Sequence, residues 1–385
     1  MLLPLSNTPR DYAWGSTTLI AGLEGREPDG RPEAEVWYGD HPGCPARVDD
    51  GTGRTLDVAL ADAGAPALPY LLKVLATSMS LSIQAHPSRA EAAEGYAREE
   101  AAGIPRDAAD RTYRDENHKP EILVALSDVF RALVGLRPLA QTRRLVGALG
   151  DGQGPTALAA RLGGADEAAA LREALGWILS GEAQAEVDEI VDALRTATSD
   201  EFTAELAVLR RIAAQFPGDP GVVVALLMNL VELRRGEALF APAGVLHAYQ
   251  DGLGVELMAA SDNVLRGGLT PKHVDVDELM RIVDTTPGPA PRVAPRPVDG
   301  ADLFDAGVPD FALRRTAIVA GESRRVALTG PTILLVTAGS ITVSAGTASI
   351  TVAPGGAAFA TGEDAVEITG SGELFLAQPG VDAPH

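Results

Sequence analysis

The chain has 385 residues, of which 46% are hydrophobic and 22% are charged, and its formal net charge is −21. This length and composition are typical of a globular protein with two or three domains and a sizeable core. So acidic a surface repels nucleic acid and anionic membranes, which excludes both as expected partners. An anionic substrate would need a basic pocket of its own.

The start of the chain does not predict a secretory signal, because residues 1–5 (MLLPL) contain no basic residue and lead into no long apolar segment. No run of about 18 apolar residues occurs in the sequence, so no membrane span is expected. Cys44 is the only cysteine and has no partner for an internal disulfide. These features predict a cytoplasmic protein.

Short apolar runs interrupted by glycine and proline predict strands in the first part of the chain, residues 1–137. The runs Leu71–Leu75 and Leu81–Ile83 are two such strands. A third run, Ile122–Leu126, follows a polar segment, so that Glu121 begins the strand. A carboxylate at the start of an apolar strand indicates a buried partner or a metal ion.

Residues 138–219 are rich in alanine, leucine and glutamate and contain no histidine, which indicates helices. One helical face is predicted from apolar residues at i, i+3, i+4 and i+7, namely Val187, Ile190, Val191 and Leu194. Thr198 and Glu201 match a capping box that would open the next helix, and Phe216–Pro220 would end it. We interpret this stretch as a helical insertion that divides one β domain into residues 1–137 and 220–288.

The C-terminal part, residues 289–385, overlaps a proline-rich linker at 286–297 and then returns to a β pattern. Ile341 and Val343 alternate with small polar residues, and glycine-rich turns separate such runs. Regularly spaced short strands are typical of a sandwich or jelly roll. The predicted fold class is therefore mainly β with a helical insertion.

Two short segments carry residues that are suited to metal chemistry. Gln84 and His86 are two positions apart, so on a strand their side chains project from one face. Glu121 ends the polar segment Asn117–Glu121, in which Pro120 keeps the preceding residue extended. Each segment alone also fits a solvent-exposed strand end or an ordinary polar loop.

A third segment is more specific. Gly236, Pro242, Gly244 and His247 have the spacing G-x5-P-x-G-x2-H, which resembles the second conserved motif of the cupin superfamily, with Asp251 where asparagine is commonest. Glycine and proline in this pattern make a turn between two strands, after which the histidine points into a barrel. The three segments together supply two histidines, one glutamate and one glutamine, a donor set that suits zinc or another divalent metal.

Longer stretches of the sequence resemble the type I mannose-6-phosphate isomerases. They are LSIQAHP at 81–87, NHKPE at 117–121 and VELMAASDNVLRGGLTPK at 255–272, together with Tyr12–Gly15, Glu33–Gly39 and residues 101–120. The resemblance extends from residue 10 to about residue 280 and is weak over the helical insertion and the tail. It implies a cupin (jelly-roll) catalytic barrel, an inserted α-helical domain and a second, degenerate cupin-like barrel without a metal.

The resemblance also implies roles for individual residues. The implied ligands of one zinc ion per chain are Gln84, His86, Glu121 and His247. The implied catalytic residues are Arg266, Glu256 and Lys119. The implied substrate-binding residues are Ser82, Lys73, Lys272 and Asp262. His118 and His273 are expected to lie outside the ligand set.

The implied reaction interconverts mannose 6-phosphate and fructose 6-phosphate by moving a proton between C1 and C2 through an enediolate. Zinc and Arg266 would stabilise the negative charge that develops. Arg266 and the three implied lysines would form the basic pocket that a phosphate needs in an acidic protein. Glu256 is the first candidate for the base, with a zinc-bound water or a lysine as alternatives.

Two other functions fit parts of the sequence. An iron-dependent cupin oxygenase usually has two histidines and a carboxylate, but a glutamine ligand and lysine-rich surroundings argue against it. A non-catalytic sugar-phosphate sensor would not need Arg266, Glu256 and a complete ligand set. No DNA-binding module is visible in the sequence. We expect a monomer or a weak homodimer that binds a small sugar phosphate.

Overall fold

The computed structural model describes residues 1–380, and His385 of the predicted tail lies outside them. The strands are β1 (Leu2–Ser6), β2 (Glu35–Tyr38), β3 (Arg47–Val48), β4 (Tyr70–Thr77), β5 (Gln84–Ala85), β6 (Glu121–Ala125), β7 (Val129–Leu136), β8 (Met228–Arg234), β9 (Ala238–Ala241), β10 (His247–Ala259), β11 (Leu265–Arg266), β12 (Arg292–Val293), β13 (Arg296–Val298), β14 (Ala301–Phe304), β15 (Ala312–Ile318), β16 (Ser323–Ala327), β17 (Thr332–Ala345), β18 (Ala348–Val352), β19 (Ala357–Ala360) and β20 (Ala365–Gln378). The helices are α1 (Leu19–Leu23), α2 (Leu56–Asp62), α3 (Arg89–Ala101), α4 (Leu139–Gly147), α5 (Gln153–Arg161), α6 (Glu167–Leu179), α7 (Gln184–Thr196), α8 (Thr203–Gln215), α9 (Gly221–Leu227) and α10 (Val276–Ile282). None of these helices has both the length and the hydropathy that crossing a membrane requires.

The strands form two ten-stranded antiparallel sheets. The first sheet consists of β2 and β4 to β12, and the second consists of β1, β3 and β13 to β20. In the first sheet the long strand β10 pairs with β5 and β7 at its start and with β4 and β6 further along. In the second sheet β1 pairs with β19 and β3. The N-terminal strand therefore completes a sheet of C-terminal strands, a pairing that the sequence did not predict.

Alternation along the strands gives the first sheet two different faces. Leu72 of β4 and Ile122 of β6 are buried in a core that the first sheet shares with the second. Leu123 points to the opposite face, into the interior of the first sheet. Lys73 follows Leu72, and Glu121 stands two positions before Leu123, so both polar side chains belong to the interior face.

The second sheet has an apolar interior. Leu334 of β17 and Leu376 of β20 lie in it, whereas their neighbours Leu335 and Phe375 lie in the core shared by the two sheets. The predicted alternation is confirmed at Ile341, which is fully buried in this interior, as is Val343. No charged residue on the described strands of this sheet is buried.

Six consecutive helices, α4 to α9, follow one another between β7 and β8. They pack their apolar residues into one further core. The predicted face of α7 is confirmed, because its buried residues are Val187, Ile190, Val191 and Leu194. The helices also contact the first sheet, since Gln215 Oε1 at the end of α8 accepts the backbone N–H of Ser80 at 3.1 Å.

Tertiary contacts override two local predictions in the middle and C-terminal parts of the chain. The capping box at Thr198 and Glu201 is wrong, because α8 begins at Thr203. The Glu201 carboxylate is instead bound by Arg144 of α4, at 2.6 Å. The stretch predicted as a linker, residues 286–297, includes β12 and part of β13, because β12 pairs with β9 of the first sheet.

The predicted strand Leu81–Ile83 is also wrong, and the strand in this region is β5, which begins at Gln84. The Leu81 N–H donates to the Tyr249 carbonyl at 2.9 Å, and the Ile83 N–H donates to the Gly268 carbonyl at 3.0 Å. The Gly267 N–H in turn donates to the Ile83 carbonyl at 2.8 Å. Leu81 and Ile83 therefore bond to two different segments, and the regular strand pairing with β11 begins only at Gln84.

Candidate metal centre and adjoining cleft

Three buried side chains with metal-ligand atoms come together on the interior face of the first sheet. Glu121 is the first residue of β6, His247 is the first residue of β10, and His86 directly follows β5. Their ligand atoms lie within 4.8 Å of one another. Glu121 Oε1 is 3.2 Å from His86 Nε2, and Glu121 Oε2 is 3.3 Å from His247 Nε2. One carboxylate therefore contacts both imidazole rings.

Two glycines of the cupin-like motif set the path of the chain into this site. Gly236 lies between β8 and β9, Gly244 lies between β9 and β10, and their φ angles are 85° and 77°. Positive φ strains any residue with a side chain, and a Cβ at Gly244 would lie 2.9 Å from the Ile282 carbonyl oxygen. Backbone geometry therefore requires glycine at Gly244, three residues before His247.

Backbone carbonyls hold both imidazoles at Nδ1. His86 Nδ1 donates to the Asn263 carbonyl at 2.7 Å, and His247 Nδ1 donates to the Val245 carbonyl at 3.0 Å. A carbonyl oxygen only accepts hydrogen bonds, so Nδ1 of each ring carries a proton, and Nε2 is the atom whose lone pair can bind a metal. Burial, with a further contribution from Lys119, lowers the pKa of His86 to about 4, so this ring is neutral at physiological pH.

The groups that face one another in this cluster therefore present electron pairs rather than protons. His86 Nε2 is buried and has no hydrogen-bond partner among residues 1–380, while the nearest oxygen of Glu121 is itself an acceptor. Buried acceptors that face one another are unfavourable unless a cation or proton lies between them. Two histidine nitrogens and a carboxylate also match the three protein ligands of many zinc sites. The donor set thus fits a divalent cation such as zinc.

Lys119 also contacts the carboxylate of Glu121, in addition to the two histidines. Its Nζ lies 2.9 Å from Glu121 Oε1, and both residues are buried. Burial opposes ionisation of Glu121, but the positive charge of Lys119 favours it, and the pKa of this carboxyl lies well below its usual range. Glu121 is therefore an ionised carboxylate, which is the form that binds a metal.

Gln84 lies between His247 and Arg266 in the register of the first sheet. It is opposite His247 on one neighbouring strand, β10, and opposite Arg266 on the other, β11. It lines the same inner cavity as Glu121 and His247. The structure thus brings Gln84 next to the cluster, while its role as a fourth ligand stays a prediction.

A second group of buried charges lies on the same interior face. Lys73 on β4 is directly opposite Glu256 on β10, and its Nζ lies 3.0 Å from Glu256 Oε2 and 3.5 Å from Glu35 Oε1. Burial disfavours the charged lysine, but Glu256, Glu35 and Glu121 outweigh it and raise the pKa of Lys73 above its ordinary value. Burial raises the pKa of Glu256, and Lys73 offsets this only in part. Lys73 is therefore a fixed cation.

An open cleft of about 460 Å³ adjoins the inner cavity, and this volume is in the range of small-molecule sites. The residues that line both spaces are Glu35, Leu81 and Gln84. Ser82, Arg266 and Lys272 also line the cleft. Three of the residues predicted to act on the substrate thus line one cleft, which adjoins the metal-type cluster of His86, Glu121 and His247.

The cleft contains two cations, Arg266 and Lys272, and one carboxylate, that of Glu35, which contacts Lys73 instead. Neither Arg266 nor Lys272 has a salt-bridge partner in the described part of the chain. Burial and the nearby Arg114 lower the pKa of Arg266, and burial, Arg266 and Arg114 lower the pKa of Lys272. These cations therefore repel one another, and an anion bound in the cleft would relieve the repulsion.

A buried asparagine connects the segments that carry the site. Asn263 is fully buried, and its Nδ2 donates to the carbonyls of Asp115 and Asn117 at 2.8 Å each. Its Oδ1 accepts the backbone N–H of Arg114 at 2.7 Å, and its own carbonyl accepts from His86. Asn263 therefore joins an imidazole of the cluster to the loop that leads into β6.

Other residues of interest in the sequence lie elsewhere. The Asp262 carboxylate contacts His41 Nε2 at 3.2 Å and lines a separate depression, so the structure does not bring it into the cleft with Arg266. His118 Nε2 is 2.7 Å from Asp310, and His273 is exposed. Both histidines therefore lie outside the ligand set, as predicted.

Some residues of the site were given no role by the sequence patterns. Glu35 and Tyr249 line the inner cavity with the metal-type cluster. For Glu35 a signal existed, because it directly precedes buried Val36 in a short strand, and a buried carboxylate there needs a partner. Trp37 supplies one, since its Nε1 donates to Glu35 Oε2 at 2.8 Å. Nothing local marks Tyr249 or Asn263, since both depend on contacts between distant segments.

Known proteins resemble this chain along most of its length. Residues 2–139 match the family model described as phosphomannose isomerase type I, catalytic domain. The chain is 35% identical over 387 residues to mannose-6-phosphate isomerase of Escherichia coli K12, with 96% of this chain and 97% of that protein covered.

Solved structures give the same result. A mannose 6-phosphate isomerase from Salmonella typhimurium bound to substrate and zinc has a TM-score of 0.88 and 32% identity, covering 99% of this chain and 100% of that chain. A zinc-bound mannose 6-phosphate isomerase structure also has a TM-score of 0.88 and 32% identity, with the same coverage. The likeness therefore includes both sheets and the helices between β7 and β8.

Proposed function

The chain belongs to the type I phosphomannose isomerase family, and from this premise we propose that it is a zinc-dependent isomerase that interconverts mannose 6-phosphate and fructose 6-phosphate. One observation carries the proposal. His86 Nε2, His247 Nε2 and the Glu121 carboxylate are buried acceptors that face one another beside a cleft whose cations, Arg266 and Lys272, have no salt-bridge partner among residues 1–380. Such a site offers a metal ion to the sugar oxygens and positive charge to a phosphate.

The zinc ligands in this proposal are His86, Glu121, His247 and Gln84. When bound, zinc supplies a Lewis acid that stabilises negative charge on the sugar oxygens. We propose one ion per chain, because within residues 1–380 His86, Glu121 and His247 form the one cluster of three or more histidine, cysteine or acidic side chains with suitable spacing. The carbonyls of Asn263 and Val245 orient the two imidazoles, which is a usual requirement of histidine ligands.

The cleft residues divide between the two ends of the substrate. Lys272 is exposed on a loop and lines the cleft together with Ser82, so we assign these two residues to the phosphate. Arg266 is next to Gln84 in the sheet register, and therefore next to the ligand cluster. We assign Arg266 to the negative charge that develops on the sugar oxygens, where a preorganised cation is most effective.

Glu256 is the residue that we propose to move the proton between C1 and C2. A base works best when its pKa is near the operating pH, and burial raises the pKa of Glu256 in that direction. Lys73 cannot serve as the base, because the surrounding carboxylates keep it protonated; it holds the Glu256 carboxylate in place instead. Lys119, which is bound to Glu121, adds positive charge beside the reacting carbons.

The architecture of the proposal follows the family. The first sheet would be the cupin catalytic barrel, the helices between β7 and β8 the inserted domain, and the second sheet a degenerate cupin-like barrel. The interior faces support this division, since one carries the buried charges and the other does not. The domain limits 1–137 with 220–288, 138–219 and 289–385 stay predictions, as do the cytoplasmic location and the monomer or weak homodimer. β1 pairs across these limits.

A coupled assay of the purified protein tests the proposed reaction. Mannose 6-phosphate should be converted to fructose 6-phosphate, and activity should disappear after chelation and return with zinc. Glucose 6-phosphate, assayed in parallel, shows how strongly the protein distinguishes two sugars that differ only in configuration at C2. Oxygen uptake, recorded on the same samples with iron, tests for an oxygenase. Failure to convert mannose 6-phosphate with zinc bound would refute the proposal.

Isotope transfer tests the assignment of Glu256. With mannose 6-phosphate deuterated at C2, a base that contacts water during its cycle should release part of the label into solvent. Glu256→Gln should still bind zinc, because Glu256 is not a ligand, but should convert substrate slowly. Complete retention of label together with an unimpaired Glu256→Gln variant would instead indicate a hydride shift and remove Glu256 from the mechanism.

A further inference from the structure

The loop between the two cleft cations has an unusual backbone conformation. Leu269 has a φ of 57° and is one of two non-glycine residues with positive φ in the described chain. This region of backbone is sterically unfavourable for a residue with a Cβ, and it persists only where the surrounding structure imposes it. The Leu269 side chain is buried in the core that the helices form. Contacts with the helical part of the chain must therefore impose this conformation.

Asp219 supplies those contacts from the turn between α8 and α9. Its Oδ1 accepts the N–H of Leu269 at 3.0 Å and the N–H of Gly221 at 2.7 Å, and its Oδ2 accepts the N–H of Thr270 at 3.0 Å. Hydrogen bonds to an ionised carboxylate are about twice as strong as neutral ones. Both oxygens of Asp219 thus fix two successive N–H groups of the loop.

Close backbone packing reinforces this contact. A Cβ at Gly268 would lie 2.4 Å from Gly221 Cα, and a Cβ at Gly221 would lie 2.5 Å from the Leu269 nitrogen. The two chain segments approach this closely only because both residues are glycine. The loop and the start of α9 therefore form one rigid contact, with the Asp219 carboxylate at its edge.

The position of this loop decides where the cleft cations lie. Arg266 precedes it, Lys272 follows it, and Leu269, Thr270 and Pro271 line the cleft between them. Both cations lack a salt-bridge partner among the described residues, so their mutual repulsion would separate them if the loop were free. A fixed loop keeps them together in the absence of an anion.

We propose that Asp219 is a positioning residue through which the helical part of the chain holds the loop at residues 269–272, and with it Lys272, ready for the phosphate of the substrate. The inference rests on the proposed function, because it takes the cleft as the phosphate site. It gives the helices a direct part in binding in addition to packing. Phe216, the residue after α8, supports the same view, since it also lines the cleft.

The test compares two carboxylates of the helical region in the full-length, zinc-loaded protein. Asp219→Ala removes both acceptors of the loop, and Asp219→Asn keeps one acceptor oxygen. Asp166→Ala is the control, because the Asp166 side chain accepts the Ala169 N–H at the start of α6, away from the cleft. Calorimetric titration with inorganic phosphate measures the cleft directly, and steady-state kinetics with mannose 6-phosphate measures KM and kcat separately.

Asp219→Ala should weaken phosphate binding about tenfold and raise KM by a similar factor, while kcat changes by less than about threefold, as expected when uniform binding is lost. Asp219→Asn should lie between Asp219→Ala and the wild type, and Asp166→Ala should match the wild type in both measurements. A merely structural role would reduce the folded fraction, and with it kcat, without altering phosphate affinity.

Three results would overturn the inference: a wild type that binds no phosphate, a folded Asp219→Ala variant with unchanged phosphate affinity, or an equal loss in Asp166→Ala. Thermal melting shows which variants are folded. If Asp219→Ala does not fold, the phosphate affinity of Asp219→Asn provides the test. A wild type that binds phosphate but does not convert mannose 6-phosphate would refute the proposed function alone. The phosphate titration would then still test the role of Asp219.

Discussion

The two sheets of this protein have the same number of strands, but their interiors are filled in opposite ways. On the strands of the first sheet Glu35, Lys73, Glu121, His247 and Glu256 are all buried. On the described strands of the second sheet no charged residue is buried, and the interior contains aliphatic side chains. Burying a charge is unfavourable unless it is paired or bound to a metal. The buried charges of the first sheet therefore lower the stability of the protein, and they lie where we propose that the reaction takes place.

The comparison also shows how the buried charges are tolerated. Each one contacts an opposite charge or a histidine ring, as Lys73 contacts Glu256 and Lys119 contacts Glu121. The opposite face of the same strands is apolar and packs against the second sheet. A common core thus joins a sheet that we expect to act on substrate to a sheet that we expect to contribute stability alone. The following substitutions compare the two sheets directly.

The largest effect is expected from Glu121→Gln in the first sheet. The neutral amide cannot supply an anionic ligand between the two histidines, and Lys119 loses its counter-charge. We expect zinc affinity and turnover each to fall by more than about 100-fold, beyond the 10–100-fold typical of residues that only orient a ligand. Elemental analysis of zinc and steady-state kinetics measure the two losses.

The same substitution in the second sheet is the control for this prediction. Glu373 of β20 contacts Arg235 at 2.8 Å. It lies in the second sheet, whereas Glu121 and His247 lie in the first. Glu373→Gln should therefore leave zinc and turnover at the wild-type level. A Glu121→Gln variant that keeps its zinc and most of its turnover would contradict the assignment of the metal site.

The next effect is expected from Arg266→Lys, which keeps the charge but loses the planar guanidinium. If Arg266 stabilises the transition state, kcat should fall by about 10²–10³ while KM changes little. Arg315→Lys is the counterpart in the second sheet, where Arg315 binds Asp302, and it should not alter kcat. If Arg266→Lys changes KM alone, Arg266 binds the phosphate and the role proposed for it here is wrong.

A smaller effect is expected from Asn263→Ala. Without its side chain the loop that leads to β6 loses five hydrogen bonds, and the carbonyl that orients His86 is free to move. Loss of such an orienting contact usually weakens metal affinity by about 10–100-fold. Zinc affinity of the metal-free protein, measured by competition with a chromogenic chelator, provides the readout.

Asn229→Ala is the control for this prediction, since Asn229 Nδ2 donates to three backbone carbonyls, none of which accepts a hydrogen bond from an imidazole of the cluster. It should lower stability and leave zinc affinity unchanged. Equal zinc affinities in Asn263→Ala and Asn229→Ala would show that Asn263 has no special connection to the metal site.

The smallest effect on activity is expected from Leu376→Ala in the apolar interior of the second sheet. Leu376 is fully buried, and truncating a buried leucine usually lowers the free energy of unfolding by about 2–5 kcal/mol. Denaturant unfolding measures that loss, and we expect kcat per folded molecule to stay unchanged. A change in kcat would show that the second sheet takes part in the reaction.

The sequence predicted those parts of the molecule that local chemistry determines. The face of α7 follows from apolar spacing, and the path into β10 follows from Gly244, whose backbone angle excludes a side chain. The candidate ligands came from the resemblance, and the structure places His86, Glu121 and His247 together.

Other features depend on contacts between distant segments, and no local pattern predicts them. β1 pairs with β19, more than 300 residues along the chain. Asn263 and Asp219 act through hydrogen bonds to segments that only the fold brings near them. The predicted capping box is absent, because α8 begins at Thr203, and Glu201 instead contacts Arg144 of the distant helix α4.

The central claim is that the buried cluster of the first sheet holds one zinc ion on which turnover depends. The most direct test is to titrate metal-free protein with zinc while recording conversion of mannose 6-phosphate. We predict that activity rises from near zero and reaches its plateau at one equivalent of zinc per chain. Full activity in the metal-free protein, or a plateau only at two equivalents, would contradict the claim.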